Sequence, residues 1–272
     1  MPRRVSSEEQ VEIEGQLAQR LAHASSQERA SLYGSVYDRI YEMHLSREPE
    51  VLDFGAGPEL IGFLNKLTRG DDAVLEVGCG GGLLAIEMAR RGRRVMAVDV
   101  SQRILEQARR RASGVPGVTF ARSAGTEIPA ADCTFDFAYS VEVLEHLHAD
   151  DVPAHLQEVH RVLRPGGRYW ILTPNRLDSI GSGERFGVDV QASRDVHLRE
   201  WTYTELQSEL QRAGFASLRS PWRNVRVLWL PLVPASWFAA MERRAPGLVR
   251  RRRARGLMGI VACSIAATKP SA

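Results

Sequence analysis

Residues 74–82 read Val-Leu-Glu-Val-Gly-Cys-Gly-Gly-Gly, a short apolar strand running into a tight glycine turn. The residues that follow, Leu83 to Arg90, have a helical pattern. Strand, glycine turn and helix in succession form the nucleotide-binding turn of a doubly wound α/β fold. The glycine spacing limits which nucleotide fits. A dinucleotide fingerprint, G-x-G-x-x-G, sets a helix N-terminus against a pyrophosphate. Here the glycines are Gly78, Gly80, Gly81 and Gly82, and Leu83 stands where the third fingerprint glycine is required.

Glu76, just before the turn, argues the same way. A carboxylate there repels a pyrophosphate but suits a ligand bearing an ammonium or sulfonium. S-adenosylmethionine (SAM) carries both cations and no phosphate. The pattern Glu76-x-Gly78-x-Gly80-x-Gly82 resembles the first motif of the class I SAM-dependent methyltransferases. Three further stretches extend the resemblance. Asp99-Val-Ser-Gln-Arg-Ile-Leu-Glu-Gln-Ala-Arg resembles the family's acid–serine–helix segment. Phe135 to Leu147 resembles its fourth strand and the loop after it. Leu163-Arg-Pro-Gly-Gly-Arg and Thr173-Pro-Asn resemble the borders of its fifth strand. Four motifs in order over roughly residues 70–215 are far more specific than a lone glycine loop.

The resemblance implies an α/β fold, a doubly wound, seven-stranded, mostly parallel Rossmann-like sheet whose last strand is antiparallel, with SAM as cofactor and a small molecule as acceptor. It is nearest the small-molecule enzymes of ubiquinone and natural-product type. It implies a methionine-side turn of Glu76, Gly78, Cys79, Gly80 and Gly82, and a ribose held by Asp99 beside Val100. Ser140 and Val141 fall where the family's backbone meets the SAM amino group. One position departs from the pattern. Ser123-Ala-Gly stands where the family often has Gly-Asp-Ala, whose Asp holds the adenine. Ser123, Gly125 and Thr126 are left to cover the adenine edge.

Strands are expected at 73–77, 94–98, 118–121, 135–140 and 168–173, with helices between them, which implies a parallel sheet. A sixth strand falls within 216–230 and a last one at Ile260–Ala267. Residues 7–45 have helical patterns, with starts at Ser6 or Ser7 and at Ser25-Ser26-Gln-Glu-Arg. A short helix spans 58–68. Another spans 202–213, capped by Thr202 and closed by Gly214. Residues 1–50 are therefore an N-terminal helical cap and 51–272 a SAM-binding domain. Residues 176–200 form a loop with Gly181, Gly183 and Gly187. The stretch 230–258, longer than a hairpin connection, is expected to be a lid insertion.

The 272 residues are 44% hydrophobic and 25% charged, an ordinary globular composition. A net charge of +3 does not call for a nucleic-acid partner. Lys66 and Lys269 are the only lysines, so arginine carries nearly all the positive charge, as in a GC-rich bacterial genome. The scattered Cys79, Cys133 and Cys263 argue for a reducing compartment. With a polar N-terminus and no long apolar window, the expected location is the cytoplasm.

The acceptor should approach over the carboxyl ends of the fourth and fifth strands. His146, in Glu145-His-Leu, is the first candidate base for a hydroxyl acceptor. The bland alternative is that Glu145 and His146 only fix their loop. His197, in Asp195-Val-His-Leu-Arg-Glu-Trp-Thr, is the second candidate, against a role pinning its loop. Tyr33, Tyr37 and Tyr41 share a helix face. Tyr37 either covers SAM, as similar family members suggest, or packs on the core. His146, His148, His155 and His160 do not converge on one helical face, so no metal site is expected. Residues 228–238 are strongly apolar and are followed by Arg250 to Arg253 and Arg255. They are either a peripheral membrane or lipid-like substrate contact through 228–255, or a lid beside a solvated arginine run.

The leading expectation is methyl transfer to a small molecule, with O-methylation in secondary-metabolite, quinone or sugar-precursor biosynthesis as the specific form. N- or C-methylation stays open, as does a SAM-binding protein of the same fold performing a non-methylating step. A nicotinamide-dependent oxidoreductase lacks its third glycine here. A nucleic-acid methyltransferase lacks its Asn-Pro-Pro-Tyr-type motif.

Overall fold

The strand leading into the glycine turn, β1 (Ala73–Val77), is buried at all five positions. A strand apolar on both faces belongs inside a sheet that helices cover on both sides. The computed structural model describes residues 7–45, 57–177, 196–221, 232–244 and 262–271, and places β1 at such a position. It pairs in parallel with β2 (Arg94–Asp99) on one side and β4 (Phe135–Val141) on the other. β3 (Val118–Arg122) adds beyond β2 and β5 (Leu163–Pro174) beyond β4, again in parallel. β8 (Ala262–Thr268) runs antiparallel to β5, and β6 (Ala216–Pro221) antiparallel to β8.

With a further strand β7 at Leu232–Pro234, the spatial order is β3-β2-β1-β4-β5-β8-β6-β7. The eighth strand corrects the expected count of seven. β7 (Leu232–Pro234) is a three-residue edge strand antiparallel to β6, at the start of the stretch expected to be a lid. Three residues ending in proline carry no readable alternation, and an edge is where a strand tolerates proline. The helix α8 (Ala235–Arg244) follows directly. Its Phe238 is buried while Trp237 is 56% exposed. Gly181, Gly183, Gly187, residues 228–231, residues 245–258, the arginines 250–253 and 255, and Ile260 lie outside the described residues.

Alternate strand residues feed two cores. Val74, Phe137, Tyr139 and Trp170 face α3 (Pro58–Leu67), α4 (Leu83–Arg90) and α5 (Gln102–Arg111). Leu75, Val77, Ile171 and Ile265 face α6 (Val152–Val162) and α7 (Tyr203–Arg212). The N-terminal helices α1 (Ser7–His23) and α2 (Ser26–Leu45) join this second core through Leu21, Tyr33, Val36, Ile40 and Met43. Ser25 and Glu28 cap α2 reciprocally. Thr202 and Glu205 do the same for α7, satisfying N–H groups that a helix start leaves orphaned. Among the described residues no helix is long and apolar enough to cross a membrane.

Between β1 and β4 the chain order reverses. At such a switch point the loops diverge and leave a crevice beyond the carboxyl ends of the strands.

Candidate functional site

The crevice is lined by the turn after β1, the ends of β2 and β4, the loops after β3 and β4, and one face of α2. The N–H groups of Gly78 and Cys79 both donate to the Val98 carbonyl, at 2.8 and 3.0 Å, which ties the turn to β2. Gly80 N donates to Asp99 Oδ2 at 2.9 Å, and Ser101 N to Asp99 Oδ1 at 2.9 Å. Asp99 is only 5% exposed. Burial pushes its pKa up to about 6 even though these N–H groups favour the charged form.

Gly78 has φ 73°, and a Cβ there would lie 2.3 Å from Val143 Cγ2. Glycine is needed because the turn and the loop after β4 approach so closely. Gly82 serves packing instead, since its Cβ would meet Phe120 and Ala108 beneath the turn. It does not line the crevice. Cys79 does line it, with a thiol that burial holds far above its ordinary pKa and therefore unreactive.

Glu76 is 3% exposed and sits beside Tyr139 in the β1–β4 register. Burial, then the nearby glutamate charge, raises the pKa of the Tyr139 phenol. Glu76, Asp99, Glu142 and Glu145 all line the crevice, and no Arg or Lys is among the described lining residues. Such a wall disfavours phosphates and suits a ligand that carries positive charge. The residues present therefore fit SAM and oppose a dinucleotide.

At the far side Ser123 and Ala124 line the crevice, and Gly125 and Thr126 do not. The Gly125 carbonyl is taken by His155 Nδ1 at 2.9 Å, and its N–H donates to Ser123 Oγ at 2.9 Å. Both groups of Gly125 are thus already engaged. His155 is fully buried, and burial pushes its pKa down to about 4, so it is a neutral strut. Its Nε2 meets Tyr169 OH, which meets Ser140 Oγ at 2.7 Å. Ser140 therefore faces the core, and Val141 is the residue of that pair at the crevice.

The opposite end is built from distant segments. Leu144–His146 forms a single tight turn after β4. The Glu145 carbonyl accepts from Leu198 N at 2.7 Å and Arg199 N at 3.1 Å, which brings in the loop carrying His197. The His146 and His197 rings meet edge-on, with centroids 5.0 Å apart. Tyr37 packs edge-on to His146 at 5.8 Å. His146 Nδ1 lies 3.3 Å from the Val196 carbonyl and His197 Nδ1 3.6 Å from Glu200 Oε1. Glu145 is fully buried and accepts from Thr173 Oγ1 at 2.9 Å. Burial, then the neighbouring Glu142, raises its pKa well above the carboxylate range.

Sequence spacing does not reveal the buried lock behind this end. Arg29 grips Asp151 through two bonds, at 2.7 and 2.9 Å. Tyr33 OH donates to Asp151 Oδ2 and accepts from His148 N, which fastens α2 across the crevice. The tyrosine spacing in α2 marks the face, but nothing local marks Arg29 or Asp151 as partners.

A family model described as a methyltransferase domain matches residues 74–167. The chain is 34% identical over 142 residues to a protein of Mycolicibacterium smegmatis named as a probable SAM-dependent methyltransferase, covering 52% of this chain and 51% of that protein. It thus spans about half the length of that relative. It is 31% identical over 165 residues to the ubiquinone biosynthesis O-methyltransferase of Xanthomonas axonopodis pv. citri, covering 56% of this chain and 68% of that one. The 1,6-didemethyltoxoflavin-N1-methyltransferase of Burkholderia thailandensis, solved with its substrate and S-adenosylhomocysteine, superposes with a TM-score of 0.59 at 21% identity, over 91% of this chain and 92% of that chain. That likeness is one of fold.

Proposed function

The chain belongs to the class I SAM-dependent methyltransferase family, and from that premise we propose that it transfers a methyl group to a hydroxyl of a small-molecule acceptor. SAM supplies a methyl already activated on a sulfonium, so the protein's task is alignment, exclusion of water and removal of one proton. Glu76 faces the cationic methionine portion and Asp99 the ribose hydroxyls. Ser123 and Ala124 border the adenine. Val141 and Tyr37 close the crevice around the transfer point.

The observation that carries the hydroxyl reading is the pair of imidazoles, 5.0 Å apart, at the end of the crevice away from Ser123. In this reading His197 or His146 takes the acceptor proton. The contact with the Val196 carbonyl turns one ring, and Glu200 steadies the other. The ubiquinone-type relatives favour an oxygen acceptor.

The test is a transfer assay with methyl-labelled SAM on phenolic, quinol and sugar acceptors, run on wild type, His146→Ala and His197→Ala. Label on acceptor oxygen, with kcat reduced about 100-fold or more in one variant while SAM affinity holds, is the expected result. Label on nitrogen or carbon alone refutes the hydroxyl reading. Label retained on SAM during acceptor turnover refutes methyl transfer altogether.

A further inference from the structure

The two histidines have a third neighbour. Glu145, His146 and His197 each offer a donor atom, and these atoms lie within 4.8 Å of one another. Two imidazole nitrogens and one carboxylate oxygen are a ligand set for a borderline divalent cation, and three protein ligands leave a position open for a bound oxygen. Two of the three also have the outer partner that metal ligands typically carry. His146 Nδ1 rests on the Val196 carbonyl, and Glu145 Oε2 accepts from Thr173.

The backbone around the set is held in place at a cost. Val196, next to His197, has φ 51°, and Glu142, one turn before Glu145, has φ 54°. A β-branched residue in the left-handed region persists only where surrounding bonds enforce it, and such strain gathers at functional positions. Here the paired N–H bonds from Leu198 and Arg199 to the Glu145 carbonyl enforce it. Charge points the same way: Glu76, Asp99, Glu142 and Glu145 line a crevice with no Arg or Lys among its described lining residues.

We propose that Glu145, His146 and His197 form a binding site for one divalent transition-metal cation of the zinc class, with an open position toward the acceptor. The cation would acidify an acceptor hydroxyl that ligates it, the work assigned above to an imidazole. Its use in catalysis rests on the hydroxyl reading, but its binding does not.

The test uses the untagged full chain, freed of metal by a chelator and titrated with Co2+, whose visible absorption reports nitrogen and oxygen ligation. SAM binding is followed by calorimetry on the same preparations. One equivalent of Co2+ displaced by Zn2+ is expected. His197→Ala and Glu145→Gln should each weaken it tenfold or more, with His148→Ala unchanged. His197→Ala is the decisive variant, because its loop is half-buried and SAM binding will report its fold. A wild-type chain that binds SAM but shows no Co2+ spectrum overturns the proposal. So does a spectrum that survives both His197→Ala and His146→Ala. Co2+ binding through these residues without methylation of any hydroxyl would uphold the site and sink only the hydroxyl reading.

Discussion

The two ends of the crevice are assembled by different means. At the cofactor end, Gly80 reaches Asp99 across 19 residues, and β1, the turn and β2 supply Glu76, Gly78, Gly80 and Asp99. At the acceptor end, His146 reaches Val196 across 50 residues, and α2 is locked to Asp151 across 122. One end is a local unit shaped by backbone conformation. The other is an assembly of three remote segments, and it exists only when the whole chain has packed. A fold built this way can keep one cofactor while its acceptor changes, because the two ends depend on different contacts.

Four measurements would break or sharpen that contrast. The largest effect is expected from Arg29→Met. The Arg29 and Asp151 side chains are 3% and 8% exposed, so losing the arginine strands a buried carboxylate. Denaturant unfolding should show a loss of ~3–5 kcal/mol. Adding Asp151→Asn, which removes the stranded charge, should recover part of it. A loss under ~1 kcal/mol would mean that the cap is not held there and that the acceptor end is less dependent on distant packing.

Asp99→Ala comes next. It removes the acceptor for Gly80 N and Ser101 N together with the ribose partner. At ~3 kcal/mol for a charged hydrogen-bonding group, SAM should bind about 100-fold more weakly by calorimetry. The edge-on contact of the two histidines should persist, visible as unchanged imidazole proton resonances. If those resonances move as well, the two ends are coupled.

Gly78→Ala sits where the ends touch. Its Cβ would strike Val143 at 2.3 Å, on a backbone with φ 73°. A stability loss of ~1–3 kcal/mol, read as a drop in Tm of several degrees, should accompany weakened SAM binding.

The smallest effect is a pH dependence. Asp99 has its pKa raised to about 6 in the empty crevice. Ribose hydroxyls donating to it favour the charged form, so binding must expel its proton at low pH. SAM affinity should be flat above about 7 and fall by up to tenfold per pH unit below 6, a dependence absent from Asp99→Ala. The same shift acts on folding with the opposite sense. The folded state holds this proton more tightly than the unfolded chain, so the ligand-free protein loses stability from this group as pH rises through about 4 to 6.

The contrast also explains which residues could be read in advance. Strand positions, the glycine turn, Glu76, Asp99 and the Thr202 cap follow from patterns within a few residues of one another. The surroundings of Gly82, Gly125 and Ser140 are not legible in the sequence, because other elements make them. Phe120 and Ala108 pack beneath Gly82, His155 takes the Gly125 carbonyl, and Tyr169 turns Ser140 toward the core. The eighth strand, β7, was missed because three residues ending in a proline carry no period. The histidine spacings along the chain gave no hint of a metal site, since the relevant partner of His146 lies in another loop.

Taken by itself, the sequence determined a doubly wound sheet, a turn suited to a cationic nucleoside and a pair of candidate histidines. Those properties rest on local backbone preference and apolar period, which act over single elements. Tertiary structure alone decided that Glu145, His146 and His197 meet, that Arg29 locks α2 over the crevice, and that no arginine or lysine enters the described lining. Those are long-range contacts. They form only once burial of the two cores has met the entropy of closing the loops between them, and no stretch of sequence records that outcome.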